Sequence, residues 1–326
     1  SMLYQGRWFN LESNEVVVGL GAAYDLGVST FDAVNPIKLY APRAGKGQIF
    51  SERDILKSTN VIASGIFTLN EELNNGLVFT DIDIVIMALS NNESFNYIKS
   101  IEEHDPNLII IDISADYRFD DGWAYKLPEV SAQTKDKRIS NPGCYASAIQ
   151  FTLFPIKHLI NGKVSCMGIS GYSGAGATPN EKNDPNNLEA NIIPYSLSGH
   201  IHEKEVMKHC YEEISFSPHV ANFFRGILIT SHIQLAKKAS SSEIYDLYKS
   251  FYGDNKLINV IKDIPMINKV SNSHYVYLGG FEVDESGYGL TVCCTLDNLL
   301  KGAATQVIQN LNHACSLDQL TGINYE

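Results

Sequence analysis

Residues 81–114 read DIDIVIMALSNNESFNYIKSIEEHDPNLIIIDIS, and their pattern decides the fold class. The runs 81–90 and 106–114 are apolar and are bounded by acidic or turn-forming residues. Such runs are typical of parallel strands that are covered on both faces. The segment 92–104 between them has the apolar spacing of a helix. The stretch therefore predicts a strand, a helix and a second strand, which is the repeating unit of an open parallel sheet.

The same alternation extends towards the N-terminus. Residues 14–27, NEVVVGLGAAYDLG, predict a β-branched strand that ends in a glycine-containing turn. Residues 28–35 predict about two helical turns before Pro36, and residues 37–42, IKLYAP, predict another strand. These segments indicate an α/β protein whose first domain, residues 1–141, is a dinucleotide-binding, Rossmann-type doubly wound sheet.

The pattern changes after Cys144. A helix with an apolar face is predicted for residues 145–160, and the strands beyond it alternate apolar and polar residues, which favours a mixed or antiparallel sheet. These strands are predicted at residues 163–174, 225–236, 273–285 and 288–296. Residues 142–296 are expected to form an α+β catalytic and substrate domain. The helix within residues 297–326 is rich in small residues and is expected to pack back onto the first domain.

Composition excludes some classes of function. The chain has 25 Lys and Arg residues against 37 Asp and Glu, a net charge of −12, and its basic residues are scattered. Such a chain is not expected to bind nucleic acid or an acidic membrane. Its six cysteines include no CxxC pair, which favours free thiols in a reducing compartment. Cys293 and Cys294 lie in an alternating apolar run and are expected to be packing residues.

Residues 139–148, ISNPGCYASA, place Cys144 directly after a turn and at the start of a predicted helix. A thiol attacks as its thiolate, and the partial positive charge at a helix N-terminus lowers a thiol pKa. The free amides there can also stabilise an oxyanion. The position therefore favours a nucleophile with a lowered pKa, and a buried structural cysteine is the alternative.

Residues 198–205, SGHIHEKE, offer a proton acceptor for such a thiol. His200 and His202 carry the side chain whose ordinary pKa lies near neutrality, and Glu205 is expected to orient a ring. Because Glu205 follows His200 by five positions, the spacing favours His200 as the base. A solvated histidine pair and half of a metal site are the alternatives. No acidic or cysteine pair completes a metal site, so no metal is predicted.

Three further features suit ligand binding. Residues 168–176, GISGYSGAG, form either a loop whose backbone amides approach a ligand or a tight turn. Arg118 follows a predicted buried strand, where a guanidinium suits the bidentate binding of a carboxylate or phosphate. A surface ion pair is the alternative for Arg118, and Arg225 is open to the same two interpretations.

The assembled motifs resemble those of the N-acetyl-γ-glutamyl-phosphate reductase family of arginine biosynthesis. The matching motifs, in the family's order, are DISADYRF (112–119), LPE (127–129), SNPGCYASA (140–148), GYSGAG (171–176), PYSLSGHIHEKE (194–205), RGIL (225–228) and LDNLLKGAATQ (296–306). The chain looks closest to the fungal form, which is cut from a two-enzyme mitochondrial precursor. The resemblance implies a small-molecule substrate, a homodimer or tetramer formed through the second domain, and a location in the mitochondrial matrix if fungal or the cytoplasm otherwise.

The resemblance also implies a reaction and the residues that perform it. The family reduces an acyl phosphate to an aldehyde with NADPH through a thioester, here on Cys144, while His200 or His202 moves protons. The implied substrate-binding residues are Arg118, Asn141, Ser173, Gly174, Tyr195 and Arg225. The implied NADP(H)-binding residues are Gly19, Gly21, Gly27, Arg43, Lys46, Ser114, Gly176 and Asn298.

Three sites in the cofactor-binding half depart from the family pattern. Tyr24 and Asp25 stand in the glycine-rich turn, where a side chain blocks close backbone approach and a carboxylate repels a pyrophosphate. Ser90 and Asn92 replace Pro and Gly, and Pro42 removes a backbone donor. One hypothesis is a working reductase that holds NADPH in an altered way. The others are a non-catalytic or regulatory relative that has lost NADPH binding and a dehydrogenase for a different acyl phosphate.

Overall fold

The computed structural model describes residues 3–7, 15–19, 29–31, 37–42, 56–67, 78–79, 84–104, 106–132, 134–176 and 179–325. The chain divides into two compact units, Ser1–Val85 and Ile86–Glu326. The domain boundary that the sequence predicts after residue 141 lies within the second unit and stays a prediction.

The first unit contains a sheet in the order β1-β4-β2-β5, with β3 also paired to β4. Its strands are β1 Leu3–Gly6, β2 Glu15–Gly19, β3 Ile37–Pro42, β4 Leu56–Phe67 and β5 Val78–Phe79. β2 and β4 are parallel, as a doubly wound sheet requires, whereas β1, β3 and β5 pair with their neighbours in antiparallel fashion. Val16, Val17 and Val18 are fully buried, which explains why this β-branched run forms an inner strand.

Two predicted elements of this unit lie wholly or partly outside the described residues. The glycine-rich turn of residues 21–27 is outside them. Of the predicted helix at residues 28–35, only residues 29–31 are described, and they form a turn in which the Phe31 N–H donates to the Ala63 carbonyl at 2.6 Å.

A four-stranded sheet, in the order β6-β7-β9-β8, carries the predicted strand–helix–strand unit. Its strands are β6 Ile84–Met87, β7 Ile109–Asp112, β8 Ala124–Tyr125 and β9 Arg138–Ser140. Helix α1, Phe95–His104, connects β6 to β7, and β9 is parallel to both β7 and β8. Val307 of the last helix packs against Ile111 and Ile139 of this sheet. These three residues all belong to the second unit, and the completion of the first domain by the C-terminal helix stays a prediction.

A seven-stranded mixed sheet, in the order β11-β12-β10-β13-β16-β15-β14, confirms the mixed sheet that the sequence predicts. Its strands are β10 Val164–Gly171, β11 Ile192–Pro194, β12 Ile214–Ala221, β13 Ile227–Gln234, β14 Ile258–Val260, β15 Val276–Val283 and β16 Gly289–Leu296. β10 is parallel to β12 and β14 is parallel to β15, whereas the other pairs are antiparallel. Cys293 and Cys294 of β16 are buried, as predicted.

The remaining helices are α2 Cys144–Leu153, α3 Pro185–Leu188, α4 Ile201–His209, α5 Ser241–Tyr252, α6 Ile267–Val270 and α7 Thr305–Ala314. Short 3₁₀ turns at Lys157–Leu159 and Tyr172–Ala175 and a π-helix at Leu300–Ala304 complete the second unit. α2 packs on β13 and β16, and α5 packs on β15 and β14. Ser240 and Glu243 form a capping box at the start of α5.

Candidate active site

Cys144 is the first residue of α2, as the sequence predicts. Gly143, directly before it, is the N-cap, with φ −73° and ψ 153°. Cys144 is half-buried, whereas the rest of the helix, from Tyr145 to Leu153, is buried. The thiol therefore lies at the accessible end of a helix whose body forms the core.

Burial raises the pKa of the Cys144 thiol to about 11. Hydrogen bonds from the backbone at Tyr145 and Cys144 and the charge of Arg118 oppose the rise, while the charge of Glu205 adds to it. The predicted lowering of this pKa is therefore wrong, because desolvation outweighs the helix amides. The side chain is a neutral thiol at pH 7 and needs a proton acceptor before it can attack.

Glu205 is fully buried and fixes the turn that precedes Cys144. Its Oε1 accepts the Gly143 N–H at 2.7 Å and the Tyr125 hydroxyl at 2.8 Å. Its Oε2 accepts a hydrogen bond from Arg118 Nη1 at 3.1 Å. No described hydrogen bond joins this carboxylate to an imidazole, so the expectation that Glu205 orients a histidine is wrong. The carboxylate instead holds the backbone that presents the nucleophile.

The two histidines differ in what their ring nitrogens can do. His200 is the N-cap of α4 and its Nδ1 accepts the His202 N–H at 3.1 Å, so the proton of its neutral ring is on Nε2. No described hydrogen bond reaches the ring of His202, and its buried Nδ1 has no partner in the described part of the chain. Burial lowers the pKa of His200 to about 4 and that of His202 well below its ordinary value. Both rings are neutral at pH 7, and of the two only His202 keeps an acceptor nitrogen that no described hydrogen bond occupies.

Two glycines allow close approach to the nucleophile. A Cβ on Gly143 would collide with His202 Nε2 and would lie 2.6 Å from Arg118 Nη1. The absence of a side chain at Gly143 therefore lets the imidazole lie against the turn before Cys144. A Cβ on Gly302 would lie 2.7 Å from Cys144 Cβ. Gly302 belongs to the π-helix, an irregularity that is frequent at functional sites.

Aromatic rings surround the histidine pair. The ring centroid of Tyr145 lies 5.9 Å from that of His202, and the Tyr195 centroid lies 5.6 Å from that of His200. Phe216 lies 5.5 Å from His200 by the same measure. Tyr195, a predicted substrate residue, is half-buried, and burial raises the pKa of its hydroxyl. It is therefore a neutral hydrogen-bonding group beside the imidazoles.

Arg118 and Asn141, two predicted substrate residues, are largely committed to contacts within the protein. Arg118 is 6% exposed, which makes the alternative of a surface ion pair wrong. Its Nε donates to the Asn141 carbonyl at 2.9 Å and its Nη2 donates to the Ile113 carbonyl at 2.7 Å. The Asn141 side-chain carbonyl accepts a hydrogen bond from Asn310 at 3.1 Å. Both residues lie at the turn before the nucleophile. Most of their hydrogen-bonding groups are already bonded to other residues of the protein.

Arg225, Asn298 and Ser173, which the sequence also singles out, are paired within the protein. Arg225 Nε lies 2.6 Å from an Asp297 carboxylate oxygen, and Nη2 donates to the other at 3.0 Å. Asn298 accepts the Gly226 N–H at 2.7 Å and donates to Ser173 Oγ at 2.9 Å. Both ends of the Asn298 amide therefore have partners inside the protein. The Ser173 hydroxyl accepts from Asn298 and can still donate to a ligand.

The predicted cofactor residues are only partly described. Outside the described residues lie Gly21, Gly27, Arg43 and Lys46, together with Tyr24 and Asp25. Gly19 is the last residue of β2, and the buried Ser114 hydroxyl donates to Asp112 Oδ2 at 2.7 Å. Gly176 is exposed with φ 85°, a left-handed conformation that favours glycine. An open cavity of about 560 Å³ adjoins Gly176 and Ser173, and the predicted substrate residue Gly174 is exposed next to them.

Asn92, which stands where the family has glycine, keeps a glycine-like backbone. Its φ is 71°, in the left-handed region that Asn tolerates better than other residues with a side chain. Its N–H donates to Asp116 Oδ1 at 2.6 Å, and the Ser94 N–H donates to Oδ2 of the same carboxylate at 3.0 Å. This departure from the family pattern therefore leaves the left-handed turn in place. Ser90, the neighbouring departure, is exposed.

The described residues hold neither a metal-binding cluster nor a membrane-spanning helix. They contain no group of three or more His, Cys, Asp or Glu side chains placed to hold a metal ion. None of their helices has the length and apolar content needed to cross a membrane.

Sequence reasoning missed Tyr125, Gln150 and Gly302 near the nucleophile and Lys182 near the histidine pair. Gln150 donates to the Tyr125 hydroxyl, which in turn bonds Glu205. These contacts join distant parts of the chain, so local spacing carries no signal for them. Gly302 could have been singled out, because it lies within the quoted motif LDNLLKGAATQ.

Family models and solved structures both match the chain. "Semialdehyde dehydrogenase, NAD binding domain" matches residues 34–137, and "Semialdehyde dehydrogenase, dimerisation domain" matches residues 144–298. Aspartate semialdehyde dehydrogenase II from Vibrio cholerae superposes with a TM-score of 0.63 at 17% identity, over 77% of this chain and 84% of that one. The Francisella tularensis aspartate semialdehyde dehydrogenase gives 0.60 at 14% identity, over 71% and 81%. The chain is thus of the semialdehyde dehydrogenase class, and the predicted Rossmann-type domain with an α+β domain is confirmed.

Curated relatives show to which family within the semialdehyde dehydrogenase class the chain belongs. The N-acetyl-γ-glutamyl-phosphate reductase of Xylella fastidiosa (strain M23) is 44% identical over 75% of this chain and 75% of its own length. The reductase of Xanthomonas campestris pv. campestris is 43% identical over 74% and 77%. Protein arg11, mitochondrial, of Schizosaccharomyces pombe is 45% identical over 75% of this chain, which spans only 28% of that relative. The chain belongs to the N-acetyl-γ-glutamyl-phosphate reductase family.

Proposed function

We propose that the protein reduces N-acetyl-γ-glutamyl phosphate to N-acetylglutamate 5-semialdehyde and phosphate, with NADPH, in arginine biosynthesis. The observation that carries the proposal is the half-buried Cys144 at the start of α2, with the His202 ring against the turn before it. A neutral thiol and a neutral imidazole at this position can generate the thiolate by proton transfer as the acyl group arrives.

Cys144 forms a covalent bond to the acyl group of the substrate and later releases it. Its Sγ attacks the γ-carbonyl carbon, the C–O bond to phosphate breaks, and the substrate becomes a thioester. When bound, the nicotinamide cofactor supplies the hydride that reduces the acyl carbon to the aldehyde level. Breaking the C–S bond then returns the sulfur, which regains a proton. The N–H groups at the start of α2 stabilise the negative charge on sulfur and oxygen.

The two histidines have different roles in the reaction. His202 accepts the thiol proton, because its ring nitrogens are uncommitted. His200 is a hydrogen-bond donor to the substrate, because its Nδ1 accepts the His202 N–H and its Nε2 carries the proton. This assignment reverses the preference for His200 as the base that spacing to Glu205 suggests. Glu205 acts as a positioning residue through its bond to the Gly143 N–H.

The substrate residues fall into two groups. Ser173, Gly174 and Tyr195 have exposed or half-buried groups and contact the substrate directly. Arg118, Asn141 and Arg225 act indirectly, because their side chains are paired within the protein. They hold in place the residues that surround the substrate.

The described part of the site fits a nicotinamide cofactor. Gly176 is an exposed left-handed glycine beside a cavity, and the left-handed turn at Asn92 is preserved. The absence of a side chain at Gly176 lets the backbone approach a ligand closely. We assign the Gly19, Gly21 and Gly27 backbone and Ser114 to the same cofactor, with Asn298 holding the loop at Ser173. Arg43 and Lys46 are assigned to the 2′-phosphate that distinguishes NADPH from NADH, because they are the two cations of the sequence APRAGK, residues 41–46.

We extend the proposal to the domains, the oligomeric state and the cellular location of the protein. Residues 1–141 with the C-terminal helix of residues 297–326 form the dinucleotide-binding domain, and residues 142–296 form the substrate domain. The protein is a homodimer or tetramer of the mitochondrial matrix if fungal, and of the cytoplasm otherwise. The non-catalytic hypothesis has no described residue in its favour, because the thiol, both imidazoles and the Asn92 turn are in place.

The reverse reaction tests the function. Purified protein with N-acetylglutamate 5-semialdehyde, inorganic phosphate and NADP⁺ is expected to produce the absorbance of reduced nicotinamide, faster than with NAD⁺. Omission of phosphate should abolish the signal, because the thioester then has no acceptor. Calorimetry with NADPH separates the alternatives: no binding at millimolar cofactor and no turnover would establish the non-catalytic relative instead.

A further inference from the structure

The two arginines near the site have little charge left to offer a ligand. Arg118 is paired with Glu205 at 3.1 Å, and both side chains are buried. Arg225 is paired with Asp297 at 2.6 Å. An acyl phosphate with a free carboxylate carries negative charge at both ends, and a buried anion requires a compensating cation. The site therefore needs a positive charge that these pairs do not supply.

Lys182 is a cation without an acidic partner beside the imidazoles. Its Nζ lies 4.8 Å from the centroid of the Tyr195 ring, and Tyr195 in turn lies 5.6 Å from His200. The side chain is half-buried. None of the salt bridges between described residues involves Lys182. After burial, the charge of Lys182 is the next cause of the lowered pKa of His200. The ammonium group is thus close enough to act on this ring.

Hydrogen bonds fix the backbone around Lys182. Its N–H donates to Asn180 Oδ1 at 3.0 Å, and the Asn180 N–H donates to Asn183 Oδ1 at 2.7 Å. Asp184 then caps the short helix α3 by accepting the Asn186 N–H at 2.9 Å. A long side chain that starts from a fixed backbone and rests on an aromatic ring loses less entropy when it binds a ligand.

We propose that Lys182 is a specificity-determining residue that binds an anionic group of the substrate beside Tyr195 and His200. The proposal rests on the proposed function for the identity of the substrate. Two groups share the required chemistry, namely the phosphoryl group and the carboxylate at the other end of the molecule. An ammonium that forms a charge-assisted hydrogen bond with either group stabilises the bound substrate.

Kinetics of the reverse reaction identify the bound group. Lys182→Met is expected to raise one KM about tenfold or more with a smaller change in kcat, and Lys182→Arg should recover most of the loss. A raised KM for inorganic phosphate assigns Lys182 to the phosphoryl group, and a raised KM for the semialdehyde assigns it to the carboxylate. The matched control is Lys238→Met, because Lys238 also lies over a tyrosine ring, 5.8 Å from the Tyr288 centroid. Unchanged values of both KM in Lys182→Met would overturn the proposal.

A second measurement does not depend on the reductase activity. Cys144 is alkylated with iodoacetate, which is anionic, and with iodoacetamide, which is neutral. Lys182→Met should lower the ratio of the two rates about two- to fourfold at low salt, while Lys238→Met leaves it unchanged. An unchanged ratio in Lys182→Met would overturn the placement of Lys182 at the site. A changed ratio in a protein that does not oxidise the semialdehyde would overturn the proposed function and leave the anion-binding role in place.

Discussion

The carboxylate of Glu205 accepts a hydrogen bond from the backbone N–H of Gly143 at 2.7 Å, although 62 positions separate the two residues in the chain. Gly143 is the residue before Cys144, so a buried side chain of α4 determines how the nucleophile's helix begins. The same carboxylate balances the charge of Arg118. The position of the Cys144 thiol and the burial of the Arg118 guanidinium therefore both depend on Glu205.

Glu205→Gln should separate these two roles. The amide keeps an acceptor for Gly143 but leaves Arg118 buried without its counter-ion, so the free energy of unfolding should fall by about 3 kcal/mol. Urea denaturation measures the change, with Glu212→Gln as the control because Glu212 is exposed. A loss no larger than that of the control would show that the buried pair does not stabilise the fold.

The two histidines should respond differently to substitution by asparagine. His202→Asn removes the proposed proton acceptor and should lower kcat by about 10²–10⁴-fold. His200→Asn keeps a good N-cap for α4 while it removes the Nε2 donor, and it should cost about tenfold. Steady-state kinetics of the reverse reaction give both values. The opposite order would assign the base to His200.

The reactivity of Cys144 should keep increasing through the alkaline range. Because burial raises its pKa to about 11, the thiolate fraction and the rate of alkylation by iodoacetamide should rise about tenfold per pH unit between pH 7 and 9. Mass spectrometry of the Cys144 peptide measures the rate. A plateau below pH 8 would instead indicate the lowered pKa that the helix N-terminus alone predicts.

A buried ion pair beside the nucleophile should matter for stability. Lys301 Nζ lies 2.8 Å from Glu129 Oε1 and donates to Gln309 Oε1 at 2.7 Å, and both charged side chains are fully buried. Lys301→Met leaves Glu129 uncompensated and should cost about 3–5 kcal/mol. The double variant with Glu129→Gln should be more stable than Lys301→Met alone. Equal stabilities in urea would show that the two charges are not coupled.

Local sequence patterns predicted the helices and strands that are marked by an apolar run or a turn within one short segment of the chain. The strand–helix–strand unit of residues 81–114 and the start of α2 at Cys144 follow from apolar runs and a turn, and both are confirmed. Strands β4 and β12 were missed, because Lys57, Asn60 and Gly65 interrupt the first and Pro218 interrupts the second. Sequence patterns thus miss a strand where such residues break both the continuous and the alternating apolar pattern.

The chemistry of the site was harder to predict than its position. The sequence places Glu205 near His200, but the fold points its carboxylate to Gly143, Tyr125 and Arg118. It places Cys144 at a helix N-terminus, but burial dominates the thiol pKa. Both errors have the same cause, since hydrogen-bond partners and desolvation depend on residues that are distant along the chain.

Acyl transfer to Cys144 in the absence of cofactor tests the central claim most directly. The protein is mixed with N-acetyl-γ-glutamyl phosphate, quenched in acid and digested, and the peptides are weighed by mass spectrometry. The account predicts one acyl group on the Cys144 peptide, with release of an equal amount of phosphate, and neither in Cys144→Ala. An acyl group on another residue, or undiminished turnover by Cys144→Ala, would contradict it.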